Sequence, residues 1–122
     1  MKIIKKSKSF SLAKNFLNKT VEVVIDKPLG CIYSKYKTYF EVNYGYIPNT
    51  LAPDGKELDA YVLKVNKPLE KFIGKVVAII HRLNDDDDKL IVVPNNETIT
   101  DEEIEKLTFS QEQFFQHEII RK

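Results

Sequence analysis

Apolar positions in the middle of this chain alternate or cluster over short stretches, the pattern of strands rather than long helices. Thr20 to Ile25 is β-rich and predicts a strand, ended by Asp26-Lys27-Pro28-Leu29-Gly30, where Pro28 removes a ladder donor and Gly30 permits a turn. Leu58 to Val65 predicts a second strand. It leaves through a near-copy of that exit, Asn66-Lys67-Pro68-Leu69-Glu70, so similar turns are expected at both strand ends. Tyr33 to Phe40 interleaves aromatics with Lys35 and Lys37; aromatics favour strands and lysines guard exposed edges. Lys75 to Arg82 holds an apolar run, Val76 to Ile80, that suits a buried strand. Asn84 to Asp88 is a polar turn and Lys89 to Val93 the returning strand, stopped by Pro94. This hairpin carries four aspartates at its tip.

The two ends read differently. In residues 1–19, Leu12, Phe16 and Leu17 recur at helical spacing after Ser11, which predicts a short docked helix. Near the C-terminus Thr100 and Glu103 form a capping box, with Asp101 and Glu102 at the positive end of the helix dipole. Ser110 with Gln113 repeats the capping pattern. Two short helices are therefore expected, 101–107 and 110–120, with Phe114 and Phe115 packing them on the strands. The domain division is a single unit, 1–122: a basic segment 1–19, strands over 20–94 and helices over 100–120.

Length and composition agree with one domain: 122 residues, 43% hydrophobic, 30% charged. Nineteen bases against eighteen acids leave a formal charge of +1, so global charge argues for neither nucleic acid nor a membrane surface. The charge is unevenly spread: residues 1–20 hold six lysines and no acid, and residues 85–88 are all aspartate. The single cysteine, Cys31, cannot form an internal disulfide, which suits a reducing compartment. No apolar run approaches the ~18–20 residues that span a bilayer, and no signal peptide is read. The expected location is cytoplasmic.

Candidate chemistry concentrates in Asn43 to Asp59. There Asp54 and Asp59 flank a Pro-Asp-Gly turn, cheap to form because Pro presets one dihedral and Gly accepts the awkward one. A turn and a strand entrance can aim two carboxylates at one cation. Hard cations such as Mg²⁺ take a few carboxylates plus water and phosphate oxygens. The 85–88 run is a third acidic source, and Lys89 beside it offers a point charge for a phosphate. A bare aspartate run also serves as a solvated turn. His81, at the end of an apolar strand, reads first as a hydrogen-bonded strand-end histidine, and His117 as a helix residue near the strands. Cys31 follows Gly30 in a turn with no pattern for nucleophilic catalysis.

Asn43-Tyr44-Gly45-Tyr46, followed by Asp54-Gly55 and Asp59, resembles the soluble family I inorganic pyrophosphatases, and the likeness runs from about Thr20 to the C-terminus. The resemblance implies a mainly β (α+β) fold: a small, twisted, OB-like β-barrel with C-terminal helices. It implies Mg²⁺-dependent hydrolysis of pyrophosphate to two phosphates, a cytoplasmic hydrolase of phosphate metabolism, and leaves a homo-oligomer open. Asp54, Asp59, Asp85 and Asp87 would hold metal, with Asn84 as the other register for Asp85. Tyr44 and Lys89 would bind phosphate.

The sequence also departs from the family. Lys56 stands where the signature has an aspartate that helps activate the attacking water, and a protonated lysine cannot accept that proton. Adjacent Glu57 would point to the opposite strand face. Gln113-Phe114-Phe115-Gln116-His117 resembles a family helix segment, but Glu118-Ile119 follow where Tyr-Lys are expected. Upstream, Glu22, Lys27, Lys35 and Lys37 are candidates without assigned roles. These departures motivate an alternative: a catalytically impaired relative binding a phosphorylated ligand or a protein. Lys35 to Phe40 motivates a third, an OB-type single-strand nucleic-acid module.

Overall fold

A computed structural model describes residues 8–33 and 38–122. Lys35 and Lys37, and with them the basis of the nucleic-acid reading, lie outside the described residues, as do residues 1–7 of the basic segment. The elements in chain order are α1 (Lys8–Lys14), β1 (Thr20–Lys27), β2 (Ile32–Tyr33), β3 (Thr38–Tyr39), β4 (Asn43–Ile47), β5 (Leu58–Val62), β6 (Lys71–Arg82), β7 (Lys89–Val93), α2 (Asp101–Glu112) and β8 (His117–Ile120).

Among the described residues, five strands close on themselves in the order β1-β4-β5-β7-β6, with β1 pairing back onto β6. The expected small β-barrel is the fold found. Neighbours are antiparallel except β5 and β7, which run parallel. β6 makes the closure possible because it is long enough to serve three neighbours. Lys71 to Lys75 pair with β1, Lys75 to Ile80 with β7, and Ile79 to Arg82 with β8.

Period-two alternation sorts the core onto two faces. Leu58, Ala60 and Val62 of β5 and Leu90 and Val92 of β7 fill the barrel interior, joined by Ala13 of α1. Tyr61, Leu63, Ile91 and Val93 point outward and are covered by Ile104 of α2. β7 is thus buried on both faces, which is why it reads as an unbroken apolar run. In β6 the ladder slips between Val76 and Ala78, and the phase changes there: Val76 and Ile79 face inward, Ala78 and Ile80 outward.

The two matching strand exits are tied together. Asn43, fully buried, accepts from Leu29 N and Leu69 N, both at 3.0 Å, and donates to Lys67 O at 2.9 Å. One side chain therefore serves both Lys-Pro-Leu turns. Gly45, two residues on, sits where β4 crosses β1 so closely that a Cβ would lie 1.9 Å from Val24 O.

The C-terminus differs from the expected pair of helices. The capping box at Thr100 and Glu103 forms and opens α2, but α2 runs unbroken through Ser110 to Glu112. The stretch expected as a second helix contains β8, which adds to β6 through Ile79–Ile120 and Arg82–His117 pairs. A vacant edge of β6 outcompetes local helical signals in four residues too few to nucleate a helix alone. His117 consequently lies in a strand and binds Glu105 Oε1 through Nε2 at 2.6 Å. Phe114 is 54% exposed, whereas Phe115 turns inward and lines the cavity described below.

Candidate active site

The outer face of the sheet carries a cavity of about 330 Å³ at the end left open beside the C-terminal end of α2. Strand register brings its residues together. β5 and β7 place Asp59 opposite Lys89, thirty positions away in sequence, and β4 and β5 place Tyr44 opposite Tyr61 and Tyr46 opposite Asp59. Asp59 and Tyr61 share a face by alternation, so Tyr44, Asp59, Tyr61 and Lys89 converge. Lys89 Nζ lies 2.7 Å from Asp59 Oδ2 and 2.9 Å from Asp87 Oδ1, and 5.7 Å from the centre of the Tyr44 ring. The Tyr44 phenol is held well above its usual pKa, chiefly by burial, then by the nearby carboxylate of Asp59. It is a proton donor throughout the neutral range.

Asp54 reaches the same cavity from the turn that precedes β5. That turn is built as the sequence predicts: Gly55 at φ +83° donates to Ala52 O at 3.0 Å, and Ala52 N donates to Lys56 O at 2.7 Å. Asp54 Oδ1 accepts from Lys56 N at 2.9 Å. Lys56 lines the cavity with Asp54, and so does Lys27. Glu57 and Glu22 are exposed and do not line it.

Arg82, which sequence reading did not single out, also lines the cavity, on the other oxygen of Asp87 from Lys89. Its Nε and Nη2 reach Glu112 Oε1 and Oε2 at 2.8 and 2.9 Å, a two-point pairing of buried groups. Tyr61 Oη donates to Glu112 Oε2 at 2.7 Å. The guanidinium stacks over Phe115 at 3.6 Å from the ring centre. Burial alone would lower the Arg82 pKa; the Glu112 hydrogen bonds and charge, with Asp85 and Asp87, reverse this and raise it. Arg82 is a permanent cation in the cavity.

Of the sequence candidates, Tyr44, Asp54, Asp59, Asp87 and Lys89 line one cavity. Asp85 does not line it. Its Oδ2 is 3.0 Å from Arg82 Nη1, and Arg82 is also 3.9 Å from Asp87 Oδ2. Asn84 does not line the cavity either. Asp88 and Asp86 point away: Asp88 binds His81 Nδ1 at 2.9 Å, as expected for a satisfied strand-end histidine, and Asp86 accepts from Ser9 N at 2.8 Å. The signal for Arg82 was its place as the last residue of an apolar strand. Glu112, thirty residues on, gave none, because an acid on an acidic helix reads as solvated.

A divalent cation suits this donor set in one respect. The carboxylates of Asp59 and Asp87 converge on a single cationic nitrogen, and Asp54 is on the same wall. Among the described residues no group of three or more His, Cys, Asp or Glu side chains is gathered for a metal. A hard ion completed by water and phosphate oxygens needs only one or two carboxylates. The arrangement fits one such ion more readily than a pair. No helix of the described residues is long and apolar enough to cross a membrane.

Comparison with known proteins gives a consistent result. The family model described as inorganic pyrophosphatase matches residues 11–120. Inorganic pyrophosphatase 1 of Pseudomonas syringae pv. tomato is 33% identical over 84 residues, covering 62% of this chain and 48% of that protein. The inorganic pyrophosphatase of Bacillus sp. strain PS3 is 31% identical over 108 residues, covering 71% of this chain and 65% of that protein. The chain thus spans about half to two-thirds of the length of these curated relatives. Among solved structures, an inorganic pyrophosphatase from Ehrlichia chaffeensis matches with a TM-score of 0.64 at 17% identity, covering 84% of this chain and 85% of that one. One from Neisseria gonorrhoeae matches with a TM-score of 0.57 at 22% identity, covering 74% and 70%. At these identities the structural matches speak for the fold.

Proposed function

This chain belongs to the inorganic pyrophosphatase family, and from that premise we propose that it hydrolyses inorganic pyrophosphate to two phosphates with Mg²⁺. The observation that carries the reading is the convergence of Asp59 and Asp87 on Lys89 beside Tyr44. That arrangement joins cation-holding carboxylates to groups that bind phosphate. A cytoplasmic setting agrees with the single cysteine, Cys31, free in the fold.

The proposed roles follow from the chemistry of each side chain. Asp59 and Asp87 would hold the ion, with Asp54 supporting it from the turn. Mg²⁺, when bound, would neutralise phosphate charge and make the attacking water more acidic. Lys89 then exchanges its carboxylate partners for a phosphate oxygen, as a compact point charge can. Tyr44, kept protonated, donates a hydrogen bond to the phosphate. Water attacks one phosphorus, the bridging P–O bond breaks, the second phosphate leaves with the bridging oxygen, and the water's proton passes to the phosphate products or to solvent. Lys27 and Lys56 sit on the cavity wall where they can neutralise the departing anion. Lys56 cannot take a proton from water, and loss of a general base costs ~10²–10⁴ in rate, so slow turnover is expected.

A second reading is favoured by one feature, the cations Lys56 and Arg82 within the cavity. It makes the chain an impaired relative that binds a phosphorylated ligand. Phosphate release from pyrophosphate separates the two. The enzyme reading expects Mg²⁺-dependent release that EDTA abolishes and Asp59→Ala removes. An inert wild type that gains turnover in Lys56→Asp favours the second reading.

A further inference from the structure

The run of four aspartates divides its labour between two sides. Asp85 and Asp87 face Arg82, and Asp87 also meets Lys89. Asp86 and Asp88 face the other way, onto α1 and His81. Asp86 accepts from the first amides of α1, Lys8 N at 3.2 Å and Ser9 N at 2.8 Å. In return the Ser9 hydroxyl, fully buried, accepts from Asp88 N at 3.0 Å. Asp88, also fully buried, accepts from Arg82 N at 3.0 Å through Oδ1 and meets His81 Nδ1 at 2.9 Å through Oδ2. Phe10 of α1 stacks on the His81 ring, centroids 4.1 Å apart and planes at 23°.

A seven-residue helix has no stability of its own. α1 exists because Phe10, Leu12 and Ala13 pack on the barrel and Asp86 satisfies its N-terminal amides. The hairpin, equally, is irregular from Leu83 to Asp88 and has no ladder of its own. Each segment fixes the other. None of the described residues before Asp26 lines the cavity, so this contact acts on the site only through the hairpin.

We infer that Asp88 is the positioning residue of the site: pinned between Ser9 of α1 and the His81–Arg82 strand end, it sets the places of its two neighbours, Asp87 and Lys89. The inference rests on the proposed hydrolysis for its kinetic consequence, but not for its structural one. Asp88 touches no substrate. Its carboxylate can be replaced by a carboxamide that accepts from Arg82 N and donates to His81 Nδ1, so Asp88→Asn keeps the anchor and Asp88→Ala removes it.

The test uses the full chain as wild type, Asp88→Ala, Asp88→Asn and Ser9→Ala, with two readouts. The first is hydrogen exchange at the Lys89 amide relative to Ala60 in β5; the second is kcat and KM for phosphate release from pyrophosphate with Mg²⁺. In Asp88→Ala and Ser9→Ala the Lys89 amide should exchange about tenfold or more faster while Ala60 is unmoved. Misplacement of reacting groups by an ångström should lower kcat on the order of 10- to 100-fold. Asp88→Asn should restore both. Wild-type exchange and kcat in a folded Asp88→Ala protein overturn the inference. So does acceleration spread equally over Lys89 and Ala60, which marks general destabilisation. If Asp88→Ala does not fold, Ser9→Ala decides by the same criteria. If even wild type releases no phosphate, the proposed hydrolysis fails, and exchange at Lys89 alone decides the positioning role.

Discussion

Arg82 and Glu112, thirty residues apart, form a two-point ion pair beneath the cavity, with Nε–Oε1 at 2.8 Å and Nη2–Oε2 at 2.9 Å. Both side chains are almost wholly buried, 5% and 1% exposed, and Tyr61 and Phe115 close around them. The pair joins β6 to α2, so it carries the cavity wall as well as stability. Removing one partner of such a pair strands the other charge. Glu112→Ala is expected to destabilise the fold by about 3–5 kcal/mol, read as a shift in the urea midpoint. Replacing both groups by apolar residues, Arg82→Met with Glu112→Leu, should cost less than Glu112→Ala alone.

Asn43 gives a second test. Its amide serves three backbone groups from two separate turns, and no shorter or apolar side chain can do so. Asn43→Ala leaves the part-buried amides of Leu29 and Leu69 without this acceptor, each costing about 1 kcal/mol. Thermal unfolding should fall well below wild type, while Asn66→Ala, at an exposed position, should leave it within about 0.5 kcal/mol.

Gly45 is constrained by approach rather than by dihedral. A methyl group there would collide with Val24 O across the β1–β4 pair. Gly45→Ala should therefore destabilise by about 1–3 kcal/mol or more, because only backbone can yield. Gly30→Ala is a different case: it meets nothing within 4 Å but sits at φ +91°, so its cost is backbone strain alone.

The buried phenols set an alkaline limit. Burial first, then the charges of Glu112 and Tyr44, raise Tyr61 well above 10.0; burial and Asp59 do the same for Tyr44. A folded-state pKa above the unfolded one means the stabilisation is fully present below the unfolded pKa, near pH 10, and is lost as pH rises through the folded value. Urea stability should decline above about pH 10, with phenolate absorbance from these two residues appearing only on unfolding. Tyr61→Phe should flatten that decline.

Much of this was legible in sequence where local signals and burial agree. β7 runs from Lys89 to Val93 as its apolar run between the aspartates and Pro94 indicates. The Pro-Asp-Gly turn and the Thr100–Glu103 capping box form as their chemistry requires. The matching Lys-Pro-Leu exits pointed to similar turns, though not to Asn43 as their common partner. What stayed hidden depends on partners remote in sequence. β8 forms because β6 offers an edge, and the orientation of Asp85 depends on Arg82, itself fixed by Glu112 from another element. The tip from Leu83 to Asp88 has no ladder to fix which way each acid points, so nothing local in four equal aspartates singled out Asp87 as the one that lines the cavity.

In the function we propose, the cavity around Lys89 turns over pyrophosphate. The most direct measurement is the rate of phosphate release from pyrophosphate in Mg²⁺ for wild type beside Asp59→Ala. Release by wild type that Asp59→Ala lowers at least on the order of 10²-fold is the expected result. Equal rates in the two proteins, with both folded, would contradict it.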